Sequence, residues 1–221
     1  MSTPPVVAVI HATPASMGPV TSAFAAGFPD ADLWHLLDDR LDRDAAAAGG
    51  LTPPLAGRMK SLVQYAVDAG ADAVQLACSM YAPVAGQVTQ PVPVVASDQG
   101  MFDEVARLDP RTVLVLASLR PAAADSSQRL TASLDGAGRR PDVVTAVAED
   151  ARAAALAGDL DGLAAALVAA ARSVPDVDVV ALAQYSLSPA AAAVGRALGI
   201  PVLSGPHLAA AHLASRLGGQ S

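Results

Sequence analysis

Eight short apolar runs, falling into two ordered sets of four, limit what this chain can fold into. The first set is PVVAVI (5–10), LWHLL (33–37), DAVQLA (72–77) and VPVVA (92–96). The second is TVLVLA (112–117), VVTAVA (143–148), DVVALA (178–183) and IPVLS (200–204). Segments with helical spacing lie between them, over 54–69, 159–172 and 189–198. Continuous apolar strands alternating with helices predict parallel sheet covered on both faces, an α/β fold. Asp159 suits a helix start, Pro83 and Pro189 a first helical turn, and Gly70 and Gly199 a helix exit.

The two sets repeat one another. Asp72 and Asp178 are 106 residues apart, and so are Cys78 and Gln184. VPVVASD answers IPVLSGP with an offset of 108, and AVIHATP answers LVLASLRP. Matching strand–loop units at a near-constant offset point to a duplicated lobe of four strands. The expected division is residues 1–97 plus 205–221 for the first lobe and 98–204 for the second. Ligands of such sheets bind beyond the carboxyl ends of the strands. The loops at 11–17, 38–39, 78–81, 97–98, 118–121, 184–187 and 204–206 are therefore expected around one cleft shared by the lobes.

Composition narrows the function. The net charge is −7, aromatic residues make up 3%, and basic residues do not cluster, which argues against a nucleic-acid partner. No apolar stretch approaches the roughly 18 residues of a membrane span, and the N-terminus lacks a signal pattern, so a cytoplasmic protein is expected. One cysteine excludes an internal disulfide and a cysteine-rich metal cage. Neither a G-x-G-x-x-G after the first strand nor a Walker A pattern or G-x-S-x-G elbow is found, which argues against dinucleotide, ATP or α/β-hydrolase chemistry.

The stretches IHATPASMGPV, LWHLLDDRLDRD, LACSMY, VPVVASDQGM, VLASLRP, LAQYSLSP and PVLSGP, in that order, resemble the aspartate/glutamate racemase superfamily. That group also holds hydantoin racemases, maleate isomerases and arylmalonate decarboxylases. The resemblance implies two pseudosymmetric lobes with an active site between them and no pyridoxal phosphate, metal or nucleotide. It also implies a small carboxylate-bearing substrate and, since members often dimerise, allows a homodimer. Two-thiol racemases of this kind carry one cysteine at a strand end of each lobe. Cys78 matches the first position, whereas Gln184 occupies the second. Decarboxylases of the group also use one cysteine, but in the second lobe.

Removing a proton beside a carboxylate or carbonyl builds negative charge on oxygen, so a catalyst needs an acid or base at the carbon and donors aimed at that charge. A thiol titrates near about 8.5, and a helix N-terminus lowers that value. A helix expected from 82–83 would thus favour a Cys78 thiolate. Ser79 and Tyr81 could add hydroxyl donors, with Met80 beside them. The alternative for Cys78 is an inert, buried small hydrophobe. Gln184 transfers no proton at ordinary pH, and is expected to orient substrate or stabilise charge with Tyr185 and Ser186, or else to bond neighbouring backbone.

His11 is read either as a second acid or base or as a group that holds its loop. The resemblance implies carboxylate contacts from Thr13, Pro14 and Ser16, with Ser118 and Asp38 as further candidates. Asp38 or Asp39 is expected to bond His11 or cap the next segment. Asp98 is expected to brace the site, and His35, His207 and His212 to be structural or surface groups. Three functions stay open at this point. They are a racemase or isomerase using Cys78 for proton transfer, a decarboxylase protonating an enediolate on one face, and a silent protein that binds a small acid.

Overall fold

The computed structural model describes residues 3–218. The chain forms two compact units, one running to Ser97 and resuming at Ala209, the other Asp98–Leu208. The first unit holds strands β1 (Val6–His11), β2 (Asp32–Leu37), β3 (Ala73–Leu76) and β4 (Val94–Val95) in the order β2-β1-β3-β4, all parallel. The second holds β5 (Thr112–Ala117), β6 (Asp142–Val147), β7 (Val179–Leu182) and β8 (Val202–Ser204) in the order β6-β5-β7-β8, again parallel. The predicted two sets of four parallel strands are thus observed.

Burial explains why these runs are continuous rather than alternating. Every residue of β3 and β7 is buried, and so is all but the first residue of β1 and β5, because helices cover both faces. The edge strands β2 and β6 are only half-buried. In the first lobe, the helix Pro53–Asp68 buries Leu55, Met59, Val63 and Ala66, a stripe at helical spacing, after two prolines in its opening turn. In the second, the helix Leu160–Arg172 buries Leu163, Leu167 and Ala171. Asp159 caps it, accepting from the Gly162 N–H at 2.9 Å. Gly199 ends the helix Ala191–Leu198 at φ 71, the left-handed exit that its sequence position predicts.

The repeat extends to single atoms. Asp72 accepts from the Val6 N–H at 2.8 Å, tying the start of β3 to that of β1. Asp178 does the same between β7 and β5, accepting from Arg111 and Thr112 N–H at 2.8 and 3.0 Å. Those donors, Thr112 first, hold the Asp178 carboxyl below the usual carboxylate range.

One helix begins where the sequence places it but is short, and another begins late. The helix after Cys78 is a single turn, Ala82–Ala85, preceded by a 3-10 turn over Ser79–Tyr81. Gly86 stops it, and the β-branched and proline-rich chain of 88–93 follows. Likewise Pro189 lies inside a 3-10 segment, Tyr185–Ala190, and the α-helix begins only at Ala191. No helix among the described residues is long and apolar enough to cross a membrane.

Candidate active site

Cys78 and Gln184 occupy the same place in their lobes. Each follows the fully buried third strand, has extended backbone (φ −116, ψ 121 and φ −133, ψ 139), and opens a 3-10 turn. The Cys78 carbonyl accepts from Tyr81 N–H at 3.0 Å, and the Gln184 carbonyl from Leu187 N–H at 3.1 Å. The first N–H groups of such a turn have no partner within it and are open to an anion. Cys78 is half-buried, with its thiol against the core of the first lobe rather than sealed inside it. The turn after it is too short for the helix dipole expected from sequence.

In the first lobe the expected residues gather at the carboxyl ends of β1, β2 and β3. Thr13 opens a 3-10 turn over Pro14–Ser16 and accepts from the Ala15 N–H at 3.4 Å; Pro14 is exposed. Ser16 is buried, and its hydroxyl donates to the Thr13 carbonyl at 2.9 Å. His11 is fully buried, with Nδ1 2.7 Å from Ser16 Oγ. It therefore holds the loop through a side chain rather than through backbone.

The other His11 nitrogen, Nε2, lies 2.8 Å from His35 Nδ1, so His35 is not the isolated residue that the sequence implied. The His35 Nε2 is in turn 3.1 Å from the Thr21 hydroxyl. Burial, helped by His35, lowers the His11 pKa to about 4, and burial lowers that of His35 too. Both shifts favour the neutral ring at pH 7.

Asp38 corrects another expectation. Its carboxylate does not reach His11; it accepts from Arg58 Nη2 at 2.5 Å and from the Arg40 N–H at 3.2 Å. Only its backbone N–H touches His11, donating to the carbonyl at 3.1 Å. Arg58 also binds Asp44 at 3.0 Å, so a cation sits at this end of the lobe that the sequence pattern did not single out. Asp39 is exposed, and the helix Leu41–Ala48 has Arg40 at its N-cap with no side-chain cap bond.

Tyr81 is fully buried and donates its hydroxyl to the Leu41 carbonyl at 2.9 Å. Burial first, and then the charge of Cys78, push its pKa up to about 12. The hydroxyl is thus committed to the core rather than offered to solvent. Tyr81→Phe is expected to lower stability by about 1 kcal/mol in urea denaturation, because it strands a buried carbonyl, and to leave substrate KM unchanged. Ser79 and Met80 beside it are half-buried.

In the second lobe Gln184 Oε1 accepts from both the Ser118 N–H at 2.8 Å and the Ser118 hydroxyl at 3.0 Å. Both oxygen lone pairs are filled, which fixes the amide orientation. Tyr185 is buried and Ser186 half-buried beside it. Asp98 is buried against Arg129, which also binds Asp125 at 3.0 Å and lies 5.6 Å from the centre of the Phe102 ring. Among the described residues no group of three His, Cys, Asp or Glu side chains is placed to hold a metal ion.

Period-two alternation is the signal that could have found His35. Val9 pairs with His35 and His11 with Leu37, which puts both histidines on one face of adjacent strands.

No family model matches the sequence, and no curated protein matches it. Solved structures do match in fold. Glutamate racemase RacE1 from Bacillus anthracis superposes with a TM-score of 0.74 at 13% identity, over 100% of this chain and 84% of its own. Aspartate racemase from Picrophilus torridus gives 0.72 at 14% identity, over 97% and 94%. An arylmalonate decarboxylase gives 0.61 at 21% identity, over 98% and 94%. The chain, with its single cysteine at a strand end, therefore has the two-lobe fold seen in glutamate and aspartate racemases and in arylmalonate decarboxylase.

Proposed function

We propose that this protein is a cofactor-independent enzyme of racemase or isomerase type, acting on a small carbon acid beside a carboxylate or carbonyl. One observation carries the reading: the only thiol stands half-buried at the carboxyl end of β3, at the opening of a 3-10 turn. Cys78 thiolate takes the α-proton, and the electron pair moves onto the substrate oxygens as an enediolate. The open N–H groups of the turn after Cys78 supply donors for that charge. A proton delivered to the opposite face by a group other than Cys78 gives the inverted product, after which the Cys78 thiol loses its proton to solvent; return from Cys78 itself restores the substrate. Gln184, an amide at the equivalent strand end of the second lobe, has no proton to transfer at ordinary pH.

A second reading is favoured by the same amide. Gln184 moves no proton, so a lone thiol suits a decarboxylase, in which carbon dioxide leaves and Cys78 protonates the enediolate on one face. The fold likeness to an arylmalonate decarboxylase is in keeping with it.

Incubation with malonates, amino acids and hydantoins in heavy water separates these. Deuterium entering the α-carbon without mass loss supports isomerisation, and release of carbon dioxide supports the lyase. Tight binding with neither, unchanged in Cys78→Ala, removes both and leaves a binding protein.

A further inference from the structure

The chain from Thr13 to Met17 by way of the two histidines has fewer protons than contacts. Ser16 Oγ contacts the Thr13 carbonyl and His11 Nδ1, His11 Nε2 contacts His35 Nδ1, and His35 Nε2 contacts Thr21 Oγ1. Thr21 Oγ1 then contacts the Met17 carbonyl at 3.0 Å. Those five contacts need five protons, whereas two hydroxyls and two neutral imidazoles carry four.

If both hydroxyls donate to carbonyls, the two rings confront each other with bare nitrogens at 2.8 Å. One hydroxyl must therefore turn inward. Thr21 is exposed, so water can replace it at the Met17 carbonyl, whereas Ser16 is buried. Thr21 then donates to His35 Nε2, His35 Nδ1–H to His11 Nε2, and His11 Nδ1–H to Ser16. Turning Ser16 inward instead reverses all three inner links. The two arrangements differ by one hop at each ring, with no heavy-atom movement.

We propose that Thr21, His35, His11 and Ser16 form a proton relay between solvent and the first loop of the first lobe. In one passage water gives a proton to Thr21 Oγ1 as the Thr21 proton passes to His35 Nε2. The His35 Nδ1 proton passes to His11 Nε2, the His11 Nδ1 proton to Ser16 Oγ, and the Ser16 proton to an acceptor at the loop. One proton enters and one leaves, and a proton passing the opposite way restores the first arrangement.

His35 and Thr21 are positioning residues in this scheme. Delivery to a substrate carbanion would supply the proton that a lone thiol and an amide cannot, and that use rests on the reaction proposed above. The relay itself does not.

The test follows exchange of the ¹⁵N-labelled His11 ring proton with water in the full chain, without substrate. Thr21→Val keeps the shape of an exposed side chain and is expected to slow exchange by about tenfold or more. Thr21→Ser, which restores the hydroxyl, is expected to return the wild-type rate. Equal rates in all three proteins overturn the relay, and so does slow exchange that serine fails to restore. With a turned-over substrate, kcat for deuterium wash-in should fall in Thr21→Val and recover in Thr21→Ser at unchanged KM. If the wild type shows no wash-in, the reaction reading falls, while the ring-exchange result still decides the relay.

Discussion

Cys78→Ser is expected to lower turnover of the wash-in or decarboxylation substrate by about 10²–10⁴-fold, the usual contribution of a positioned acid or base. An alcohol of the same shape keeps the packing against the first-lobe core but does not ionise near neutrality. Stability should change by no more than about 1 kcal/mol, because the residue is half-buried and the new group is of similar size. Steady-state kinetics with circular-dichroism melting separates the two effects. Retained turnover in a folded Cys78→Ser protein would remove the thiol from the mechanism.

Arg129→Met is expected to cost about 3–5 kcal/mol, measured as a fall in the urea midpoint. It leaves Asp98, 5% exposed, without its guanidinium partner, and also releases Asp125 and the face of Phe102. Burial already pushes the Asp98 carboxyl above its usual range against the pull of Arg129. In the variant the folded state therefore binds a proton more readily than the unfolded chain. Its stability should rise as pH falls toward the ordinary carboxylate range and drop as pH rises. Replacing both partners with apolar residues, Asp98→Leu with Arg129→Met, should recover most of the loss, since no charge is then left buried. A double variant as unstable as the single one would show that packing, not charge, was lost.

The strands and their pairing into lobes were legible because burial on both faces writes itself as unbroken apolar runs, repeated at one offset. That offset also carried Cys78 and Gln184 to equivalent strand ends, and it matched Asp72 with Asp178. What these side chains touch was less legible. Ser118 lies far from Gln184 in sequence and meets it only because β5 and β7 are neighbours. His35 sits in an apolar edge strand whose face assignment depends on register with β1. Tyr81 looked like a loop hydroxyl, yet the 3-10 turn rolls it into the core under Leu41. Asp38 met an arginine from the helix Pro53–Asp68 that no local motif announces.

The paired aspartates at the strand starts bear on how the chain acquires its alignment. Sliding β3 on β1, or β7 on β5, by one residue would send each side chain to the opposite face of its sheet and strip the carboxylate of its backbone donors at once. Each half thus carries its own registration pin, and neither borrows it from the other. The second half is also one uninterrupted stretch, Asp98–Leu208, so its sheet can find its alignment while the first still awaits the closing segment from Ala209 onward.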